Sequence, residues 1–462
     1  MKKSIFLAVA AVAMTACSND VDLGMKDANK QTADNAIGFE VRNSNMSRAD
    51  TLSLEATGHY NFGVWAYKDI DPTHDIMANY LVGYFGDNVG YKLSNKQTTY
   101  GTNVDLGDLK SRWAYEGLGT SEYERTSNTE GEMYYLSSDN FYMSNLSTQF
   151  LRYWDYSSAS TKFYAYAPYI NADNEHRVSF DNKTGVMTFP AGSIVAGYDD
   201  PSKFEYLCAY NKVFKENYGK DVQLTFKHMN SQIRIVFYED IEGYDVNMLD
   251  LKSSANVGVL AVPAKMTTSG STTTYSYGDD GIPMTAKSTV TFSETPSSNI
   301  AIAIPTATKY YSGNENGEID GATIKDKALV FKAPKATKLK STKPKALADK
   351  PASWSETVYY GIPHNSSCGL TFRVSFKLTS TTSETINVYN AGVHVDAANC
   401  VWEAGKRYTY VFKFTKKANG DTGTNNPTVD PNPGTGALYP IVFDGIQVED
   451  WTDATETEHN IN

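Results

Sequence analysis

The sequence predicts an all-β protein made of two antiparallel β-sandwich domains in tandem. Short segments of alternating apolar and polar residues recur along the chain, and polar turn sequences such as residues 278–281 separate them. The sequence has no long stretch of helical periodicity. A chain of 462 residues suits two or three domains, and we place the boundary between the two sandwiches near residue 245.

The most regular strand is predicted over residues 370–378. Its apolar side chains share one face, as expected of a half-buried strand: Leu370, Phe372, Val374, Phe376 and Leu378. Residues 222–226 and 233–237 alternate in the same way, and the polar residues between them indicate either a hairpin or a bulged bend. Isoleucine alternates with alanine over residues 300–304, which favours a strand packed on both faces.

Composition narrows the classes of function. Hydrophobic residues make up 41% of the chain, enough to build cores, so wholesale disorder is excluded. The net charge of −11 argues against binding to a nucleic-acid backbone. The 32 tyrosines suit strands and exported surfaces better than helices. Beyond the N-terminus, no apolar segment of about 18 residues predicts a membrane-spanning helix.

The start of the chain predicts an export signal, residues 1–16. Lys2 and Lys3 form a positive region ahead of a short apolar segment. The residues before Cys17 resemble a lipobox, so we expect Cys17 to become the lipidated first residue of the mature chain and to hold it at a membrane. The alternative is cleavage after Ala16 without a lipid.

Three further cysteines follow, at Cys208, Cys368 and Cys400. An odd number permits at most one pair within the chain. Cys368 and Cys400 lie near the ends of predicted neighbouring strands, so the alternatives are a pair between these two or three buried free thiols. None of them has the spacing of a zinc site.

Two segments interrupt the strand pattern. Residues 325–350 hold nine lysines, which indicates a solvated loop or, as the alternative, a surface for a polyanion or a membrane. Residues 416–436 are rich in Asn, Gly, Thr and Pro, a composition typical of a linker, and about 20 such residues reach roughly 65 Å when extended.

A last strand is predicted beyond this linker, within residues 439–451. The residues that define it are Ile441, Phe443, Ile446, Val448 and Trp451. Two alternatives stay open for this segment. It either folds back as the last strand of its own domain or pairs with another subunit by addition to an open sheet edge.

No catalytic residue is predicted. The sequence has no G-x-S-x-G, H-E-x-x-H or P-loop pattern and no G-x-G-x-x-G after a strand. Its seven histidines share no spacing, and we expect neither a metal nor a cofactor. Aromatic residues crowd the region 113–156, where they either pack in a core or stack on sugar rings. The alternative functions are therefore a surface lipoprotein that binds glycans through exposed aromatics without polymerising, and a hydrolase.

Several segments, taken in order, resemble the fimbrillin family, the lipoprotein pilins (type V pili) of gut and oral Gram-negative anaerobes. They are FGVWAY at 62–67, YW and KFYAYAPY within 153–169, LTFKH and IRI within 224–235, WEAGKRYTY at 402–410 and VEDW at 448–451. With the lipobox they span nearly the whole chain. The lysine-rich segment and the long linker depart from the family pattern.

The resemblance implies transthyretin-like, Greek-key sandwiches, here residues 49–245 and 246–416, followed by a linker and a C-terminal strand in 417–462. It also implies that a trypsin-like protease removes the lipidated leader, residues 17–48, together with the first strand. The strand removed would carry Ile37, Phe39 and Val41. Cleavage would follow Arg48, with Arg42 as the second candidate, and residues 439–451 would be the donor strand that refills a groove.

The same resemblance implies partners and a location. The chain would first be an outer-membrane lipoprotein with a palmitate-bearing anchor, and then a subunit of a cell-surface fimbria. Its partners would be other pilin subunits, in a homo- or heteropolymer, and a host or bacterial surface glycan or protein. Neither catalysis nor a nucleic-acid partner is expected.

Overall fold

The structure is a computed structural model, and it describes part of the chain. The described residues are 35–43, 54, 59–84, 91–92, 98–99, 102–103, 113–115, 134–135, 149, 151–170, 177–198, 201–249, 259–270, 272–276, 281–295, 299–311, 328–331, 339, 358–365, 368–415, 421–422 and 441–450. Cys17, Arg48 and Trp451 lie outside them, as do the predicted export signal and most of the lysine-rich and linker segments.

Most of the described residues belong to β-strands. In chain order these are β1 Phe39–Asn43, β2 Asn61–Lys68, β3 Asp75–Tyr84, β4 Tyr91–Lys92, β5 Thr98–Thr99, β6 Thr102–Asn103, β7 Trp113–Ala114, β8 Tyr134–Tyr135, β9 Ser160–Ala167, β10 Ser179–Asp181, β11 Val186–Val195, β12 Gly197–Tyr198, β13 Leu207–Phe214, β14 Val222–His228, β15 Ser231–Asp240, β16 Tyr244–Leu249, β17 Val259–Ser269, β18 Thr272–Ser276, β19 Pro283–Phe292, β20 Ile300–Ile302, β21 Thr306–Tyr310, β22 Leu329–Phe331, β23 Tyr359–Gly361, β24 Gly369–Ser380, β25 Thr385–Val395, β26 Lys406–Thr415, β27 Asp421–Thr422 and β28 Ile441–Asp450. One helical turn, α1, spans Pro201–Phe204, and 3-10 turns lie at Lys215–Asn217 and Ala397–Asn399.

Strands of the N-terminal half close into a barrel, in the order β1-β14-β13-β9-β2-β3-β7. Their inward residues form a core of their own that is rich in aromatic and branched side chains, among them Phe39, Phe62, Phe163, Leu224 and Phe226. Closure leaves the sheet with no unpaired edge, which protects its backbone groups from pairing with other chains.

The outer face of β2 and β9 is buried as well. Trp65, Tyr164 and Tyr166 alternate with the inward residues and pack against Phe180 and Phe189 of a neighbouring sheet. Two buried faces explain why these strands are nearly continuous runs of apolar and aromatic residues rather than alternating ones.

Three larger sheets and two pairs of short strands, β4-β8 and β5-β6, make up the rest of the described strands. The strand orders of the larger sheets are β10-β11-β19-β20 with β21 also on β19, β12-β23-β15-β26-β28, and β18-β17-β24-β25-β27 with β16 on β24 and β22 on β17. The second and third of these sheets pack face to face, as shown by the ring contacts of Phe372 with Tyr410 and Phe412 and of Phe376 with Phe414. The predicted strand at residues 370–378 lies within β24, and its apolar face is buried through Phe376. The prediction that it is half-buried was wrong, because Thr371, Arg373 and Ser375 on the opposite face are buried as well.

The all-β class is confirmed, but the arrangement is not purely antiparallel. β1 runs parallel to β14, and β15 runs parallel to β26. β14 and β15 do not form a hairpin, because the chain turns at Asn230 and places the two strands in different sheets. The amide oxygen of Asn230 accepts the Tyr206 N–H at 3.0 Å, and its carbonyl accepts the Gly405 N–H at 2.9 Å. These bonds fix the bend.

Strand pairing crosses the predicted boundary near residue 245. β11 pairs with β19, and β12 pairs with β23, so strands from both sides of that residue share sheets. The boundary itself stays a prediction. The segment 300–304 was predicted wrongly as packed on both faces, because β20 lies at the outside of its sheet and Ile304 is 60% exposed.

The three cysteines within the described part of the chain are buried free thiols. Burial raises the pKa of Cys208 and of Cys400 to about 12, which keeps both thiols protonated and unreactive. Among the described residues, no helix has the length and apolar character needed to cross a membrane.

Trp402 tests the packing of the C-terminal core. Its side chain is fully buried, and its indole N–H donates to the Tyr410 hydroxyl at 3.0 Å. We expect Trp402→Ala to lower the free energy of unfolding by about 3–5 kcal/mol, because it leaves a large cavity in the core. Urea unfolding measures this change. Ile304→Ala is the control, and an equal loss in both variants would contradict the assignment of Trp402 to the core.

Candidate functional site

The first strand, β1, is an integral part of the barrel. It pairs in parallel with β14 over its whole length, from Phe39 opposite Val222 to Asn43 opposite Phe226. Its pairing on the other side is much shorter, with Phe39 opposite Trp113 of β7. One long neighbour and one short neighbour therefore hold the strand that closes the barrel.

The three apolar residues predicted for this strand all point into the barrel core. Ile37, just before β1, is 1% exposed, Phe39 is 0% exposed and Val41 is 2% exposed. The Phe39 ring makes edge contacts with Phe62, Tyr115 and Phe163, with ring centroids 5.5 to 5.9 Å apart. Full burial of such side chains stabilises the barrel by roughly 1.5–3 kcal/mol each.

The chain that enters β1 is also fixed by hydrogen bonds. The Ile37 N–H donates to the Arg152 carbonyl at 2.8 Å, and the Ile37 carbonyl accepts the Tyr115 hydroxyl at 3.0 Å. The Val222 N–H donates to the Gly38 carbonyl at 2.8 Å. Hydrogen bonds to neighbouring segments therefore fix the chain ahead of the strand as well as the strand itself.

Gly38 is a site residue that the sequence did not single out. A Cβ atom at this position would lie 2.2 Å from the Asp221 carboxylate oxygen, so any larger residue here would displace the Asp221 side chain from its place beside the strand. The glycine between Ile37 and Phe39 was the only hint in the sequence. It could not reveal the contact with Asp221, which lies 183 positions later in the chain.

The two predicted cleavage residues differ in position. Arg42 lies in β1, opposite Thr225 of β14. Arg48 lies outside the described residues, five positions after the last residue of β1. The structure describes the chain again at Leu54, which is buried, and from His59 onward.

The last strand, β28, folds back on its own sheet. It pairs antiparallel with β26, from Lys406 opposite Asp450 to Phe414 opposite Ile441, and it is the edge strand of that sheet. Phe443 and Ile446 are half-buried against the C-terminal core, whereas Val448 is 54% exposed. The predicted apolar face thus exists, but it is much less buried than that of β1.

Polar contacts add to the hold on β28. The Tyr238 hydroxyl donates to the Asp444 carboxylate at 2.6 Å, and Lys406 Nζ lies 2.6 Å from Asp450. An exposed ion pair such as that between Lys406 and Asp450 contributes roughly 0–1 kcal/mol to stability. β28 also contains a bulge, since Gly445 pairs with Val411 while Phe443 pairs with the next residue of β26.

A buried carboxylate lies between two imidazoles at the barrel end where β1 finishes. His59 Nε2 is 2.9 Å from Glu205, and His228 Nδ1 pairs with the other carboxylate oxygen. These three residues lie just before β2, just before β13 and at the end of β14. Burial would raise the pKa of Glu205, but His228 and His59 lower it from 4.5 to about 2. The scattered histidines gave no sequence signal for this cluster.

The described residues offer little support for the other functions. No three His, Cys, Asp or Glu side chains in the described part of the chain are placed to hold a metal ion. Of the aromatic residues within 113–156, Trp113, Tyr115 and Trp154 are buried, and Tyr156 is 37% exposed. Buried rings cannot stack on a glycan from solvent, so these three belong to the core.

Comparison with known proteins places the chain among fimbrial proteins. A profile described as fimbrillin-like matches residues 98–431. A fimbrial protein from Bacteroides vulgatus is 14% identical with a TM-score of 0.42, covering 90% of this chain and 100% of that chain. A candidate cell adhesion protein from Bacteroides uniformis is 11% identical with a TM-score of 0.35, covering 91% and 100%. TM-scores this low carry no argument about fold or function. No curated protein matches the chain.

Phe39 tests how far the barrel depends on its first strand. We expect Phe39→Ala in the unprocessed chain to lower the free energy of unfolding by about 3–5 kcal/mol, because it empties a pocket lined by three rings. Urea unfolding followed by tryptophan fluorescence measures the change. Phe214→Ala, at a phenylalanine that is 48% exposed, is the matched control. A loss in Phe39→Ala no larger than in the control would show that β1 does not support the barrel.

Glu205 tests the buried cluster. The folded pKa lies below the unfolded one, so the ionised carboxylate stabilises the fold above pH 4.5, and this contribution is lost as the pH falls from 4.5 towards 2. We expect Glu205→Gln to cost about 3 kcal/mol at pH 7, since it leaves the buried imidazoles without their partner.

The difference between Glu205→Gln and the natural chain should then narrow as the pH falls through that range. Unfolding by urea at pH 7 and at several acidic pH values measures it. Glu216→Gln, at an exposed glutamate, is the matched control. A difference that stays constant with pH would contradict the lowered pKa.

Proposed function

Because the chain belongs to the fimbrillin-like family, we propose that it is a structural subunit of a surface fimbria and polymerises by strand exchange. In this proposal, a protease removes the leader with β1, and a strand from another subunit takes its place. The fimbria serves adhesion. The family gives the chain a fimbrial role, and the exchange mechanism is our inference from the first and last strands.

The burial of Ile37, Phe39 and Val41 is the observation that supports this proposal most directly. These side chains complete the barrel core, yet they come from the very start of the described chain. Removing them would open an apolar groove between β14 and β7. Such a groove is costly in water, and a replacement strand supplies both the missing side chains and the backbone hydrogen bonds.

The leader therefore has a protective role. While β1 stays in place, the barrel is closed and offers no sheet edge for pairing with another chain. Its loss makes the subunit competent to polymerise. In the proposed sequence of events, Cys17 carries the lipid to the outer membrane, and cleavage separates the subunit from that anchor.

The position of the cleavage site follows from strand pairing. A protease needs an accessible, unpaired segment. Arg42 is paired within β1, so cleavage there requires the strand to leave the barrel first. Arg48 lies beyond the end of the strand, which favours Arg48 as the primary site.

The last strand is the proposed donor. β28 is an edge strand with one neighbouring strand, and its apolar face is only partly buried. Residues 423–440 separate it from β27, which pairs with β25, and a segment of this length spans several tens of ångströms when extended. β28 therefore has both the weaker hold and the reach that donation requires.

The N-terminus of the protein in sheared fibres tests the proposal. We expect a mature chain that starts at Ala49, because Arg42 is held by strand pairing whereas Arg48 follows the end of β1. We expect Arg48→Ala to retain the leader and to be absent from fibres, whereas Arg42→Ala should be processed normally. N-terminal sequencing and immunoblots of the fibre fraction measure both.

Other results would redirect the proposal. A mature chain that starts at Asn43 would assign cleavage to Arg42. A chain that still begins at Cys17 and occurs in no fibre would contradict polymerisation and favour a non-polymerising surface lipoprotein.

A further inference from the structure

The first and last strands carry a matching sequence. Residues 38–43 read GFEVRN, and residues 445–450 read GIQVED. Each segment starts with glycine, continues with a large apolar residue, a residue with a side-chain carbonyl oxygen, and valine, and then ends on polar residues. Because the two strands share this order of residue types, both are suited to pair with the same neighbouring strands.

The glycine favours one superposition of the two strands. Any other residue in the place of Gly38 would bring its Cβ atom against the Asp221 carboxylate, which would have to turn away. A strand with glycine at this point replaces β1 without moving Asp221, and Gly445 is the glycine of β28. The competing alignment, with Ile441 in the place of Ile37, would put Val442 there and displace the Asp221 side chain.

The bulge in β28 completes the match. Against β26, Gly445 and Phe443 pair with consecutive residues, so Asp444 is the extra residue between them. If this bulge is kept, Phe443 takes the place of Ile37, Ile446 that of Phe39 and Val448 that of Val41. Without the bulge, Asp444 would enter the apolar core, where a carboxylate is costly.

We propose that β28 of one copy fills the groove of a second copy of this chain, with Gly445 in the place of Gly38 and Phe443, Ile446 and Val448 in the pockets of Ile37, Phe39 and Val41. This assignment rests on the proposed function and names the partner and the register. The partner is a second copy because the groove and the matching strand belong to the same chain.

The exchange increases apolar burial. Val448 is 54% exposed on its own sheet, whereas the Val41 pocket leaves 2% exposed. Phe443 and Ile446 move from half-buried positions to pockets that are closed around Ile37 and Phe39. The pockets of Ile37 and Phe39 hold one isoleucine and one phenylalanine before the exchange and again after it. The total side-chain volume in these two pockets is therefore conserved.

A polar position outside the barrel agrees with this register. The Gln223 amide donates to the Glu40 carboxylate on the outer face of β1. In the proposed register Gln447 replaces Glu40, and its side-chain carbonyl offers the same kind of acceptor. In the competing alignment Asp444 would lie opposite Gln223.

Cysteine pairs distinguish these registers. In full-length chains expressed by the native cells, we would combine Gln223→Cys with Gln447→Cys and, as the matched register control, Gln223→Cys with Asp444→Cys. Each single-cysteine variant is a further control. Fibres treated with a mild oxidant are then resolved on non-reducing gels.

We expect Gln223→Cys with Gln447→Cys to give a ladder of linked subunits, at a yield about tenfold above the Asp444→Cys pair, because a disulfide forms only between closely opposed strand positions. A folded-back β28 gives no such ladder, since residue 447 then lies opposite Thr409 of the same chain.

Three results would overturn the inference, and they separate it from the proposed function. A ladder from the Asp444→Cys pair alone would retain strand exchange but contradict the register. Fibres from the unmodified chain with no ladder from either pair would keep the fimbrial role and assign the donor to another segment or subunit. No fibres from the unmodified chain would contradict the proposed function as well.

Discussion

The barrel can close only while an apolar strand occupies the space beside β14. Phe39 fills a pocket made by Phe62, Tyr115 and Phe163. β1 pairs with residues 222–226 of β14 on one side and with a single position of β7 on the other. The remaining pairings of the barrel are antiparallel, and those among β13, β9, β2 and β3 are longer. The stability of the N-terminal half therefore depends on a strand that is held mainly by side-chain burial and by one neighbour.

The two ends of the chain are connected through one bend. β14 holds the first strand, while β15, which follows directly, holds β26, and β26 holds the last strand. Asn230 fixes the bend through bonds to Tyr206 and Gly405, and the Ser231 hydroxyl donates to the Glu403 carbonyl at 2.8 Å. The imidazole–carboxylate cluster of Glu205 lies at the same end of the barrel. A continuous path of paired strands thus joins the groove to the strand proposed to fill another groove.

Alternation of apolar residues was sufficient to predict several strands and the apolar face that each buries. Ile37, Phe39 and Val41 lie in the core, and so does the apolar face of β24 from Leu370 to Phe376, but the burial of its opposite face was missed. Pairing was not predictable, because alternation says which face is buried and not which strand is the neighbour. For this reason the barrel closure, the parallel pairs and the outside position of Ile304 were missed. Gly38 and Glu205 were missed because their partners are distant in sequence, and the roles of Cys17 and Arg48 stay predictions.

The parallel pairing of β1 with β14 has a consequence for any polymer that these subunits form. A strand that replaces β1 in the same direction enters at the Val222 end of the groove and finishes towards the Phe226 end. Every junction between subunits therefore has the same strand direction. Donor and acceptor surfaces are different patches, which makes the contact head-to-tail rather than two-fold symmetric. The resulting filament is polar. One terminus presents an empty groove and the opposite terminus presents an unused strand, so the two termini cannot grow by the same reaction.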